Sequence, residues 1–255
     1  MPVLDGRHAL ITGGGTGIGA AIAAKLFAAG VVISVAGRRA EPLRRVANSL
    51  PGTHVVVADV TKEAQTKAMV EAARAAHGPI DILIANAGAA ESSPIARVDF
   101  DHWQRMLNVN LTGAFLSVQA ALPDLLRREA VASRIVFTAS TAGIKGYPYV
   151  AAYCAAKHGV VGLARALAAE LASRDITVNA VCPGYTETPL LESALTSIAD
   201  KTGRSRDAAR ADLARSNPQG RLIQPDEVAE TVLWLCSPAA RAVNGQAIAI
   251  SGGEA

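Results

Sequence analysis

The chain has 255 residues, 50% of them hydrophobic and 18% charged, which excludes a mainly disordered chain and allows either one large core or two small ones. Aromatic residues are only 4%, so the apolar character comes from Ala, Val, Leu and Ile, as in a tightly packed α/β core. The net charge of +3 divides into 25 basic residues, 19 of them Arg, and 22 acidic ones, scattered too evenly for a nucleic-acid groove or a membrane patch.

In chain order, short β-branched runs alternate with stretches of helical period. Strands are expected at 8–11, 31–35, 54–58, 80–85, 134–138, 177–181 and 247–250, each apolar on both faces, as a parallel sheet covered by helices requires. Between them, helices are expected at 18–29, 41–49, 62–76, 100–128 and 151–173, with a last one at 225–236 that opens Pro-Asp-Glu. This rhythm predicts an α/β fold: one Rossmann-type, doubly wound, seven-stranded parallel sheet in a single domain, residues 1–255.

The rhythm breaks once. Residues 185–224 are helical in places (190–199 and 207–216) but long for a crossover, so they read as a lid on the domain. Leu190, Leu191, Leu195 and Ile198 are expected on one helical face, lining a pocket. Arg204, Arg206, Arg210, Arg215 and Arg221 are either a solvated basic face or contacts for a coenzyme A or carrier-protein phosphate.

Residues 1–7 hold no apolar run suited to a signal peptide. The most apolar long segment, 149–171, carries Lys157, His158, Arg165 and Glu170, which would be costly in lipid. Cys154, Cys182 and Cys236 are odd in number and share no metal-like spacing, so neither a disulfide framework nor a metal site is expected. A soluble cytoplasmic protein with no membrane or nucleic-acid partner is the expectation. His54, His102 and His158 fit no partner pattern.

Thr12-Gly13-Gly14-Gly15-Thr16-Gly17-Ile18-Gly19 follows the first strand and opens the first helix. Glycines there permit a tight turn and let backbone N–H groups reach a pyrophosphate at the helix N-terminus. The pattern fits in two frames, Gly15, Gly17 and Ala20, or Gly13, Gly17 and Gly19. At the end of the second strand, Gly37-Arg38-Arg39 stands where an acid would hold the ribose diol of NAD. Arg38 either offers a guanidinium fork to the 2′-phosphate of NADP, which favours NADP(H) over NAD(H), or stacks on adenine with Arg39 solvated. Asp59 either accepts from the adenine amino group or caps the helix that follows.

With these elements in place, the chain resembles the short-chain dehydrogenase/reductase family, over nearly its whole length. The family's T-G-x-x-x-G-x-G motif is matched by Thr12 to Gly19, its Asn-Ala-Gly by Asn86-Ala87-Gly88, and its mid-helix Asn by Asn110. Ser140 stands thirteen residues before Tyr153, and Tyr153-Cys154-Ala155-Ala156-Lys157 supplies Y-x-x-x-K. Pro183-Gly184 follows the sixth strand, then Thr186 and Thr188. The family often has two serines where this chain has Ala139-Ser140; the second is the functional position. The resemblance implies catalysis by Asn110, Ser140, Tyr153 and Lys157. It implies dinucleotide contacts at Gly13, Thr16, Gly17, Ile18, Gly19, Arg38, Arg39, Asp59, Val60, Asn86, Ala87, Gly88, Tyr153, Lys157, Pro183, Gly184, Thr186 and Thr188.

The chemistry follows from residue types. Tyr153 and Lys157 are four apart, on one helical face. A free phenol has a pKa near ~10, and a neighbouring ammonium, joined by the positive oxidised nicotinamide, is expected to lower it, making Tyr153 an acid for ketone reduction and a base for alcohol oxidation. Ser140 is placed to hydrogen-bond the substrate oxygen as charge develops. Asn110 resembles the family residue that holds a water linking the lysine to solvent.

The implied activity is NAD(P)-dependent hydride transfer between nicotinamide and a ketone or secondary alcohol, with 3-oxoacyl thioesters foremost. The alternatives are an NAD-dependent secondary-alcohol or 3-hydroxyacyl dehydrogenase, and a catalytically silent dinucleotide-binding regulator. The apolar surplus of 107–126 and 151–171, with the family's habit of pairing these helices, implies a homotetramer.

Overall fold

The computed structural model describes residues 4–127 and 132–255. Seven strands form one parallel sheet: β1 (His8–Thr12), β2 (Val32–Gly37), β3 (His54–Val57), β4 (Ile82–Ala85), β5 (Ser133–Thr138), β6 (Ile176–Pro183) and β7 (Ala247–Ile250). Their spatial order is β3-β2-β1-β4-β5-β6-β7. The chain winds outward from β1, returns to the middle, and winds out the other way from β4. The reversal between β1 and β4 opens a crevice at the carboxyl ends of the strands.

Nine α-helices connect them among the described residues: α1 (Gly17–Ala28), α2 (Ala40–Ser49), α3 (Glu63–His77), α4 (Phe100–Leu107), α5 (Gly113–Leu125), α6 (Ala151–Leu171), α7 (Pro189–Thr202), α8 (Arg206–Arg215) and α9 (Pro225–Cys236). One apolar layer sets Ile22, Leu26, Val232 and Leu235 of α1 and α9 against Ile11, Ile33 and Ile84. The other sets Met69, Val118, Val160 and Ala164 of α3, α5 and α6 against Leu10, Leu83, Ile135 and Phe137. Both faces of the central strands are therefore buried, as their sequences require. The edge strands β3 and β7 are only partly buried.

Some polar residues inside these strands find partners, while Thr138 Oγ1 and Thr177 Oγ1 are buried without one among the described residues. His8 lies 2.9 Å from the Gly78 carbonyl through Nδ1 and 2.8 Å from Ser34 Oγ through Nε2. Asn179 Nδ2 donates to the Val243 carbonyl at 2.8 Å.

Two expectations change. The helix expected over 100–128 is not continuous: a π-helical turn, Asn108–Thr112, separates α4 from α5, and Arg128 lies outside the described residues, as do residues 1–3 of the stretch read for a signal peptide. The interruption has a local cause, since Asn110 Nδ2 donates to the Met106 carbonyl at 3.0 Å and competes for the backbone acceptor four residues back. Leu190 is exposed, and only Leu191, Leu195 and Ile198 of its expected face pack inward, on Ala209 and Leu222. Thr188 caps α7 and the helix starts at Pro189, so Leu190 lies in an opening turn that faces outward.

The five lid arginines do not form an open basic face. Arg204 and Arg215 pair with Asp212, Arg206 with Glu192, Arg210 with Glu187 and Glu192, and Arg221 with Glu227. No helix among the described residues is long and apolar enough to cross a membrane, and none of their His, Cys, Asp and Glu residues cluster to hold a metal ion.

Candidate active site

The glycine loop and the end of β4 meet at the reversal of strand order. Thr12 Oγ1 accepts from the N–H of Asn86 at 3.0 Å and of Ala87 at 3.1 Å, and Asn86 Nδ2 donates to the carbonyls of Thr12 (3.0 Å) and Gly13 (3.3 Å). Asn86 and Ala87 thus hold the loop's shape from beneath. Gly13 and Gly17 take left-handed φ of 66° and 53°, which a side chain would strain. A Cβ on Gly19 would fall 2.4 Å from the Gly13 carbonyl oxygen, so the helix can approach the loop only without one.

Thr16 is the extended residue before α1 and makes no side-chain cap. The first N–H groups of the helix, on Gly17, Ile18 and Gly19, have no acceptor within it and favour an anion. Thr188 covers this loop: a Cβ on Gly17 would meet its Cγ2 at 3.0 Å. Thr188 also accepts from Leu191 N and donates to Thr186 O, while Thr186 Oγ1 donates to the Gly184 carbonyl at 2.9 Å. Pro183 ends β6, so the Pro-Gly corner and the start of the lid sit at the same crevice. This cradle, with uncapped donors and glycine-only approaches, fits a dinucleotide pyrophosphate.

Arg38 and Arg39 are both exposed just past β2. Burial works to raise the Asp59 carboxyl, but the two hydrogen bonds from Thr61, with smaller contributions from the Arg38 and Lys62 charges, hold it below the ordinary range. Asp59 Oδ1 accepts from Thr61 N at 3.0 Å and Thr61 Oγ1 at 2.9 Å, so it closes the turn before α3. Val60 is buried against Gly113, where a Cβ would come within 2.6 Å of its Cγ2.

Further along the crevice lie the residues of the Y-x-x-x-K helix. Ser140, at the carboxyl end of β5, is hydrogen-bonded to Tyr153 and accepts from Ala142 N at 3.1 Å. Lys157 is buried; its Nζ donates to the Thr138 carbonyl at 2.7 Å and stands 5.6 Å from the Tyr153 ring centroid. Asn110, fully buried, accepts through Oδ1 from Ala89 N at 3.2 Å and donates to the Ala89 carbonyl at 2.9 Å. Gly88 joins the two: a Cβ there would lie 2.7 Å from Asn110 Oδ1 and 3.6 Å from Lys157 Nζ. Ser140, Tyr153, Lys157, Asn110 and Gly88 are thus brought together from four separate stretches of chain.

The electrostatics correct one expectation. By the protein's own groups the phenol of Tyr153 is not lowered: burial pushes it up to about 12, the Ser140 hydrogen bond opposing. Burial likewise pushes Lys157 down to about 8. Desolvation disfavours either charge, and Lys157 gives one of its three N–H donors to the Thr138 carbonyl. At neutral pH the pair is therefore a neutral phenol beside an ammonium, the arrangement of a proton donor.

The sequence reading missed several wall residues. Tyr147 and Tyr185 stand edge to face at 6.3 Å, and Tyr147 reaches Thr141 and Glu254. No motif flagged them, because Glu254 is 107 positions from Tyr147 and only the sheet brings them together.

The short chain dehydrogenase family matches residues 7–198. The chain belongs to this family. A 3-oxoacyl-(acyl-carrier-protein) reductase of Thermotoga maritima is 37% identical over 98% of this chain and 98% of its own. The solved structure of a tryptophan variant of actinorhodin polyketide ketoreductase with NADPH superposes with a TM-score of 0.94, at 38% identity, over 100% of this chain and 99% of that one. A 3-ketoacyl-(acyl-carrier-protein) reductase from Brucella melitensis complexed with NADH gives 0.89 at 33% identity, over 98% and 99%. This short-chain dehydrogenase is an NAD(P)-dependent oxidoreductase acting on keto or CH–OH groups.

Proposed function

We propose that the enzyme reduces 3-oxoacyl thioesters or related ketones, with NADPH favoured over NADH. The observation that carries this reading is the convergence of Tyr153, Ser140 and Lys157 at the carboxyl end of the sheet, with Lys157 Nζ 5.6 Å from the Tyr153 ring and Asn110 alongside through Gly88. Arg38, exposed beyond β2 with no acid in the diol position, supports the cofactor preference.

Gly13, Thr16, Gly17, Ile18 and Gly19 hold the pyrophosphate, with Thr188, Thr186, Gly184 and Pro183 over it. Arg38 and Arg39 take the ribose phosphate, Asp59 and Val60 the adenine side, and Asn86, Ala87 and Gly88 support the middle of the dinucleotide. The bound nicotinamide supplies the hydride for the carbonyl carbon. Ser140 Oγ hydrogen-bonds the carbonyl oxygen as it gains charge. Tyr153 gives that oxygen its proton. Lys157, held by the Thr138 carbonyl, keeps its charge near the phenol and holds the nicotinamide ribose, and Asn110 completes the polar path by which the proton is restored.

In this reading residues 1–255 form one domain with 185–224 as its lid, working in the cytoplasm. Exposed Phe115 and Leu126 on and just after α5 support a homotetramer built on α5 and α6, which light scattering at micromolar concentration tests.

The deciding assay follows loss of reduced nicotinamide with NADPH and NADH on a panel of ketones and 3-oxoacyl thioesters. Turnover with NADPH and a thioester is expected. Faster alcohol oxidation with NAD would favour the dehydrogenase alternative, and tight binding with no turnover would favour a silent regulator.

A further inference from the structure

The wall of the site contains a polar cluster that the four catalytic residues do not use. Tyr147 Oη lies 2.6 Å from Glu254 Oε1 and 2.8 Å from Thr141 Oγ1. A phenol has one proton to give, and the carboxylate is the nearer and stronger acceptor, so Tyr147 donates to Glu254 while the Thr141 hydroxyl donates to Tyr147. Lys145 Nζ donates to the Glu254 carbonyl at 3.0 Å and stands 3.3 Å from its Oε1.

The Glu254 side chain is 3% exposed, and its second oxygen, Oε2, is buried with no hydrogen-bond partner among the described residues. A buried carboxylate is costly unless it is paired and hydrogen-bonded; Tyr147 and Lys145 supply that at Oε1, and Oε2 is left without a partner among the described residues. Its surroundings are those of the reacting groups. Thr141 follows Ser140, and Oε2 faces Gly184, where a Cβ would come within 3.1 Å of it. The Tyr147 ring stands edge-on, at 79°, to Tyr185, which lies close enough to raise the Tyr153 phenol.

We infer that Glu254 is a positioning residue: by holding Tyr147 against Tyr185 it sets the aromatic wall along which the non-reacting part of the substrate lies. The inference rests on the reading of Ser140 and Tyr153 as the reacting pair. Glu254 and Tyr147 hydrogen-bond neither of those side chains, so their contribution is substrate binding shared by ground and transition states. The loss of the wall raises KM and leaves kcat nearly unchanged.

The test compares the full-length enzyme with Glu254→Ala, Glu254→Gln and Tyr147→Phe in steady state, on the best substrate of the panel, alongside NADPH titrations. Glu254→Ala and Tyr147→Phe are expected to raise KM about tenfold, the scale of one hydrogen bond to a charged group. Turnover at saturation stays within about twofold and NADPH affinity does not move. Glu254→Gln, which keeps an acceptor for Tyr147, recovers most of the KM. An unchanged KM in Glu254→Ala, or a loss carried by kcat or by NADPH affinity, overturns the inference. Should Glu254→Ala fail to fold, Tyr147→Phe, which loses one oxygen, decides by the same criteria. Retained turnover in Tyr153→Phe would instead overturn the reacting pair itself, whatever the KM values.

Discussion

Removing one oxygen from the centre of the site is the sharpest perturbation available. Tyr153→Phe keeps the ring and its packing and deletes the proton donor together with its hydrogen bond to Ser140. With burial pushing the phenol up to about 12, the donor is protonated at pH 7 and the site carries the acid. Loss of a positioned general acid costs about 10²–10⁴ in rate, or about 3–5 kcal/mol of barrier.

The assay is single-substrate reduction with NADPH, read as kcat beside the NADPH dissociation constant, which the glycine loop and Lys157 hold unchanged. The pH profile adds a second check. Lys157, pushed down to about 8, is cationic below that pH and loses its charge above it. Reduction by the parent should therefore be flat at neutral pH and fall as pH rises through about 8, and Lys157→Met should lack that limb. A Tyr153→Phe variant that keeps a third or more of the parent's kcat refutes the assignment.

Other expectations can be checked separately. Arg38→Asp replaces attraction with repulsion at the ribose phosphate and should turn a preference for NADPH into one for NADH by about 10²-fold, read by fluorescence titration; equal affinities in the parent would remove the phosphate role. Gly88→Ala drives a Cβ to 2.7 Å from Asn110 Oδ1, so the Asn110–Ala89 pairing must shift, at a cost of about 1–3 kcal/mol seen in denaturant unfolding. Unaltered stability there would show that Asn110 has room to yield. Burial, the largest cause, holds His8 below its ordinary pKa, so the fold prefers the neutral ring. Stability is then full above about 6.5 and declines as pH falls and the unfolded chain takes up the proton; identical unfolding curves at pH 7.5 and 5.5 would contradict this.

What the sequence determined by itself is what depends on neighbours along the chain. Strands apolar on both faces call for a covered parallel sheet, and Gly13, Gly17 and Gly19 mark where backbone must come close. A spacing of four puts Tyr153 and Lys157 on one helical face whatever surrounds them. The tertiary structure decided everything that travels through space. Strand order alone sets Thr12 under Asn86 and Ala87. The π-helical turn at Asn110 depends on which carbonyl its side chain finds, a local competition that apolar periodicity does not register. Spacing left both a solvated basic face and a phosphate contact open for the lid arginines, and only folding gave each an acidic partner. The phenol went up and the lysine down because desolvation depends on how many atoms pack around a group, from every part of the chain at once. For the same reason Glu254 carried no signal: spacing cannot show that residues 107 positions apart will hydrogen-bond beyond the ends of the strands.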